Sequence, residues 1–286
     1  MIEQAMNIHG GQSPPLYIAG KRKMSDKFTK SNFLKISQEV LDFQLKSLYP
    51  LHIKTDPDRI FTILLNHDRN FSTFLTIRAL VEHERVTDIY TLSRAMFESI
   101  VSMGLMAKSI VSDDMNRYQN YQFVEIDKTY SHLKKLGLEH LDGLPLPEVD
   151  FVKTQRQEYT KKYGKNLPTW TGKSLEDNVK LLDKNYPSTC KEELFYEYLY
   201  CQVYRKGSSA IHSSFAGLKK GVEIEDVNIP GDITAHRFKT DDSHLIFSCF
   251  HSLIVFLSSV RFMGFTLRKK ETEQYFHEIV RYVIAE

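Results

Sequence analysis

Cysteine is scarce in this chain. Cys190, Cys201 and Cys249 are the whole set in 286 residues, and none stands in a Cys-x-x-Cys spacing. An odd, sparse set excludes a disulfide framework and fits a reducing compartment, so a cytoplasmic location is expected. Clustered metal ligands are also lacking. His236, His244, His251 and His277 are scattered without ligand spacing, so no metal centre is expected. There is no Gly-rich phosphate loop of the Walker or dinucleotide type, no Gly-x-Ser-x-Gly, and no nameable Ser/His/Asp set. Charge of one sign is not in excess. The formal net charge is +2, so no overall field demands nucleic acid as a partner. The first 32 residues hold Gly10-Gly11, Pro14-Pro15 and Lys21-Arg22-Lys23 but no apolar run, which argues against a signal peptide and predicts a loose arm over 1–30. One long apolar run occurs, from Leu245 to Leu267. His251 and Arg261 interrupt it, and its charge-free part ends at Val260. That is shorter than the roughly 20 residues a membrane span needs. A buried core helix is expected, and no membrane partner.

What remains is ordinary globular chemistry, 42% hydrophobic and 26% charged, in a chain long enough to bury a sizeable core. The apolar spacing is helical almost throughout. Phe33, Ile36, Val40, Phe43 and Leu48 mark a first helix. Thr55-Asp56-Pro57-Asp58 signals the start of a second. A third, from Val86 to Ile110, reads as apolar almost all round and therefore buried. Ser112-Asp113-Asp114 predicts the cap of a fourth, which Gly137 ends. From 138 to 173 the pattern loosens, with Pro145, Pro147 and Pro168 around one surface helix near Val149 to Tyr163. Ser174-Leu175-Glu176-Asp177 opens a short helix by capping-box logic. An aromatic helix over 191–218, a loop or small hairpin over 221–240, the apolar helix behind Asp241-Asp242-Ser243, and an amphipathic helix to Val283 complete the chain. No internal repeat and no alternating strand series is present. The expected architecture is an all-α helical bundle, one domain over 31–286, with a loop-rich helical insertion at about 138–173.

The chemistry concentrates in Tyr204-Arg205-Lys206-Gly207-Ser208-Ser209-Ala210-Ile211-His212. On one continuous helix, Cys201, Arg205, Ser208 and His212 share a stripe, with Arg205 and His212 about 10 Å apart along the axis. Arginine binds phosphate with two donors, and histidine moves a proton near neutral pH. That pairing suits a phosphate-containing ligand, although a satisfied helix-surface pair has the same spacing. Gly207 inside a helix marks a kink or a close approach of backbone or ligand. Arg94 and Glu98 stand four apart in the helix expected to be buried, where two charges are costly unless paired. They form either a structural ion pair or a pair that also meets Ser208 and His212, with Glu98 holding one imidazole nitrogen. Lys161-Lys162-Tyr163-Gly164-Lys165 with Trp170 resembles a basic and aromatic nucleic-acid contact, or a solvated loop.

Arg205 and His212 are similar to the signature of the HEPN superfamily, an arginine, four to six residues, then a histidine on the late helix of a bundle. The six intervening residues here match its longest spacing. The wider pattern, Arg94 and Glu98 on an early helix, Trp170 before a short one, and Tyr204, Ser208 and His212 on a late one, resembles an uncharacterised bacterial family of helical proteins over roughly residues 55–268. One departure is Lys206, where HEPN nucleases usually carry a small polar residue. The resemblance implies metal-independent RNA cleavage, often by a toxin or antiphage effector, at a composite site of a homodimer. It assigns His212 as general base or acid and Arg205 as stabiliser of phosphate charge, with Ser208 beside them and no cofactor. Two alternatives stay open: a non-catalytic module binding a nucleotide or partner protein through the same residues, and a small-molecule hydrolase using Glu98 and His212.

Overall fold

The computed structural model describes residues 17–18, 22–23, 28–49, 51, 56–138, 140, 146–165, 167–186, 194–212, 222–229, 233–240 and 242–283. The helices in chain order are α1 (Lys30–Leu48), α2 (Pro57–Glu82), α3 (Val86–Ala107), α4 (Asp114–Lys135), α5 (Leu146–Tyr163), α6 (Leu175–Asn185), α7 (Phe195–Leu199), a π-helical segment (Tyr200–Arg205), α8 (Lys206–Ile211), α9 (Asp242–Thr266) and α10 (Lys270–Val283). Two short antiparallel hairpins accompany them. One pairs Tyr17–Ile18 with Arg22–Lys23, and the other pairs Val222–Ile229 with Ile233–Thr240. The protein is an all-α bundle. Most of the arm over 1–30 lies outside the described residues, but Phe28 is buried and meets the Phe250 ring edge-on at 6.0 Å.

The apolar helix α9 is the centre of the bundle. It packs against α1, α2, α3 and α10. By length and composition it could cross a membrane, with a mean hydropathy of 1.8, yet 89% of its most apolar window is buried inside the protein. That burial is compatible with a soluble protein and agrees with the core helix expected from sequence. Phe256 stacks on Phe74 of α2 with ring centroids 4.3 Å apart. Three serines of α9 are satisfied locally. Ser248, Ser252 and Ser258 donate to the carbonyls of Leu245, Cys249 and Ile254, which removes the cost of burying free hydroxyls. Ser259 meets His67 and Asn70 of α2 at 2.9 and 3.2 Å. Arg261 forms two bonds to Glu273 of α10 and a third to the Tyr196 hydroxyl.

Two helix starts differ in detail from expectation. Asp56 caps α2, accepting from the Arg59 amide, while Thr55 lies outside the described residues, as does Asp241 before α9. Asp113 precedes α4 in a left-handed conformation without capping it. Its carboxylate instead accepts from Lys162, Tyr163 and Asn116, and these bonds hold its pKa well below the usual range. The helix expected over 191–218 is not uniform. Its described part runs from Phe195 to Ile211 and carries the π-helical segment in its middle.

Two imidazoles sit in the core. Burial lowers the pKa of His67 to about 4 and that of His251 to about 3. Because the folded values lie below the unfolded value, each neutral imidazole contributes stability above pH 6.5 that is lost as pH falls toward the folded value. The slope is at most about 1.4 kcal/mol per pH unit per histidine. Asp183 acts in the opposite sense. Burial raises its pKa to about 6, so protonation favours the fold below that pH. The two histidines outweigh the one acid. Urea melts should therefore show lower stability at pH 5 than at pH 7, and His251→Asn should flatten that dependence.

Candidate functional site

The late helix is fixed at both ends. At its start, the buried carboxylate of Asp183 accepts from the Tyr196 and Glu197 amides at 2.7 and 2.8 Å, satisfying two first-turn donors of α7. Near its end, Gly207 is buried against α3. A Cβ there would lie 2.7 Å from both the Tyr90 carbonyl oxygen and the Arg94 Cβ. The backbones of α8 and α3 can approach this closely only because position 207 has no side chain. The close approach expected from the sequence is thus one of backbone to backbone.

Between these anchors the π segment re-aims the side chains. Tyr200 and Tyr204 stack at 5.2 Å and 12°. Arg205 lies over the Tyr200 ring at 5.5 Å, and Arg94 of α3 lies over the Tyr204 ring at 4.8 Å. The result is a ladder of arginine, tyrosine, tyrosine, arginine joining α3 to the late helix. Cation–π contacts at such half-exposed sites are worth about 0.5–1 kcal/mol each. The Tyr200 side chain beneath it raises the Arg205 pKa. No carboxylate lies within ion-pair distance of Arg205 among the described residues. Tyr200 was not anticipated as a site residue. Its spacing of four from Tyr204, with an arginine following, was the available signal.

Arg205 and His212 are both exposed, and Ser208 is half-buried between them. His212 closes α8, its amide bonded to the Ser208 carbonyl at 3.0 Å. The Ser208 hydroxyl donates to the Tyr204 carbonyl at 2.9 Å, so its proton is committed. Cys201 is an exposed free thiol. Lys206 turns away from the stripe, with Nζ 5.3 Å from the Phe247 ring centroid.

The expectation of a buried Arg94–Glu98 pair is corrected in part. The two charges do meet, with Arg94 Nε 3.2 Å from Glu98 Oε1, but the side chains are 19% and 48% exposed. Glu98 occupies a solvent-facing strip that α3 keeps. It pairs with Arg94 and makes no bond to His212 among the described residues. The hydrolase assignment of Glu98 with His212 therefore has no geometric support.

The basic and aromatic contact is also corrected. Trp170 is 6% exposed. Its indole donates to Ser102 at 3.1 Å, and its ring meets Tyr118 edge-on. It latches the segment after α5 onto α3 and α4 and offers no face for a base. Lys161 and Lys165 are exposed, while Lys162 is tied to Asp113 at 2.6 Å. Lys165 borders a cleft of about 210 Å³ with Lys128, Lys153 and Arg156.

The fold and this surface define an all-α bundle with an exposed arginine and an exposed histidine at the two ends of one short helix. A family described as being of unknown function (DUF5677) matches residues 61–229. That span exceeds half of the chain, and the chain belongs to this family. All the candidate residues, from Arg94 to His212, fall inside the match. No curated protein and no solved structure matches the chain.

Gly207→Ala should destabilise the fold by about 1–3 kcal/mol through overpacking against α3, despite the roughly 1 kcal/mol gain in helix propensity. Glu98→Ala should stay within about 0.5 kcal/mol of wild type, as exposed positions do. Denaturant melts of both variants measure the contrast.

Proposed function

We propose that the protein is a HEPN-type, metal-independent endoribonuclease acting as a homodimer, in the manner of a toxin or antiphage effector. The observation that carries this reading is the presentation of Arg205. It leaves a π segment, a feature frequent at functional sites, and faces solvent one short helix before the exposed His212, without a carboxylate partner among the described residues. A guanidinium so placed is available to a phosphodiester.

His212 takes the proton of a ribose 2′-hydroxyl as that oxygen attacks the adjacent phosphorus. The bond from phosphorus to the 5′-oxygen breaks, and His212 of the second copy supplies the proton to that oxygen. Arg205 donates two hydrogen bonds to the non-bridging oxygens as their charge develops. Arg94 and Glu98 act behind this site by holding Tyr204, and through it Tyr200, under Arg205. Ser208 serves as an acceptor, since its proton is already engaged.

A second reading is a non-catalytic module that binds a nucleotide through the same residues. The committed Ser208 proton and the inward-turned Lys206 favour it. The two readings separate on labelled total RNA incubated in EDTA. The nuclease gives protein-dependent products ending in a 2′,3′-cyclic phosphate or a 3′-phosphate. Arg205→Ala and His212→Ala should each abolish them with the fold intact, and Arg205→Lys should impair them. No protein-dependent product, alongside nucleotide affinity that falls in the same variants, would replace the nuclease by the binding module.

A further inference from the structure

A second site lies at the other end of α3. A cavity of about 1090 Å³ opens between the start of α2, the end of α3 and the corner joining α9 to α10. Ligand pockets span roughly 300–1,000 Å³, so this one admits a drug-sized molecule. From Arg94 to Lys108 the α3 axis covers about 20 Å, so the cavity is remote from the Arg205 stripe. Its key residues at the α9–α10 corner also lie beyond the span matched by the family.

The cavity is cationic. Lys108, Arg268, Lys269 and Lys270 line it, and none has a carboxylate within ion-pair distance among the described residues. The acids at its wall are engaged elsewhere. Asp56 pairs with Arg59, and Glu273 is clamped by the buried Arg261. Lys108 lies 4.0 Å from the Tyr186 ring centroid and 5.3 Å from that of Phe265. Burial and Arg261 lower its pKa, and its ammonium donates to the Asn185 carbonyl. The first turn of α10 adds the positive end of a 14-residue helix, offset in part by Glu271 and Glu273.

The corner is held rigidly in this form. At Gly264 a Cβ would come 2.0 Å from the Thr272 hydroxyl, so α9 and α10 cross in direct contact. The chain then reverses through Arg268 at a φ of 59°, a helix-ending conformation that favours glycine. Here an arginine occupies it and lines the cavity. Phe265, one turn earlier, is 44% exposed at the same wall.

We propose that this cavity binds a nucleoside phosphate, with its phosphates on Arg268, Lys269 and Lys270 and its flat ring against Phe265. The cations select a phosphorylated ligand, and the exposed aromatic wall separates one carrying a ring from a bare polyphosphate.

Calorimetric titration of the full chain with ATP, at fixed salt, tests the assignment. Saturable binding is expected. Arg268→Gly removes the guanidinium while suiting the backbone, and it should weaken ATP about tenfold or more, as loss of a charged hydrogen bond does. Lys270→Glu, on an exposed first-turn position, should weaken it similarly. Phe265→Ala should weaken ATP but leave tripolyphosphate unchanged. Arg205→Ala and His212→Ala should bind ATP as wild type does. The proposal is overturned if ATP fails to saturate or if Arg268→Gly and Lys270→Glu bind it normally. Tripolyphosphate binding as tightly as ATP would leave an anion site only. Loss of ATP in Arg205→Ala would move the nucleotide to the other site.

Discussion

The structure depends on burying one helix completely. From Phe247 to Gly264, α9 has no exposed residue. An apolar cylinder of this kind has no preferred face of its own, so its neighbours must surround it. Its orientation is set by the few polar groups that demand partners. Ser259 requires α2, through His67 and Asn70. Arg261 requires α10 and α7, through Glu273 and the Tyr196 hydroxyl. Removing one member of such a set strands its partner in the core, which costs far more than the pair contributes net. Buried polarity therefore fixes the register of α9, while hydrophobic area provides the drive.

That register also positions the late helix. Tyr196, held by Arg261, is the residue whose amide Asp183 receives. The start of α7 is thus bonded to α6 and to α9 at one residue. From there to Gly207, where α8 meets the α3 backbone, the chain must span a fixed distance. A π segment inserts residues without ending the helix. The π geometry of Tyr200–Arg205 falls between these two anchors. Within it Tyr200 lies beside Tyr204, and Arg205 lies over the Tyr200 ring.

The elements were legible because their signals are local. Apolar spacing located α1 to α3 and the last two helices, and Ser174 does cap α6 by accepting from the Asp177 amide. The central burial of α9 followed from the uniform apolarity of 245–260, and the close approach at Gly207 from the oddity of glycine in a helix. What was not legible depended on contacts distant in sequence. Arg94 and Glu98 looked buried because their neighbours are apolar. Glu98 is half-exposed all the same, although the late helix, about a hundred positions later, packs beside it on Tyr90, Arg94 and Phe97. Trp170 looked like a partner for its neighbouring lysines. Ser102, 68 positions earlier, supplies the acceptor for its indole instead. The π segment left no mark in composition.

The same reasoning explains why the two cationic surfaces differ. Along the Arg205 stripe the cations are mounted on aromatic rings, which orient a guanidinium while leaving its donors outward. At the α9–α10 corner they are mounted on a reversed turn, held by the contact of Gly264 with Thr272. A ring mount tolerates small sliding, because the attraction varies gently across an aromatic face. A turn mount does not, because a φ of 59° at Arg268 sits in a narrow allowed region. The first arrangement suits a flexible strand that must be seated and then released. The second suits a compact ligand of fixed shape. The rigidity of each surface thus follows from how its arginine is anchored, and both anchors trace back to the packing of α9.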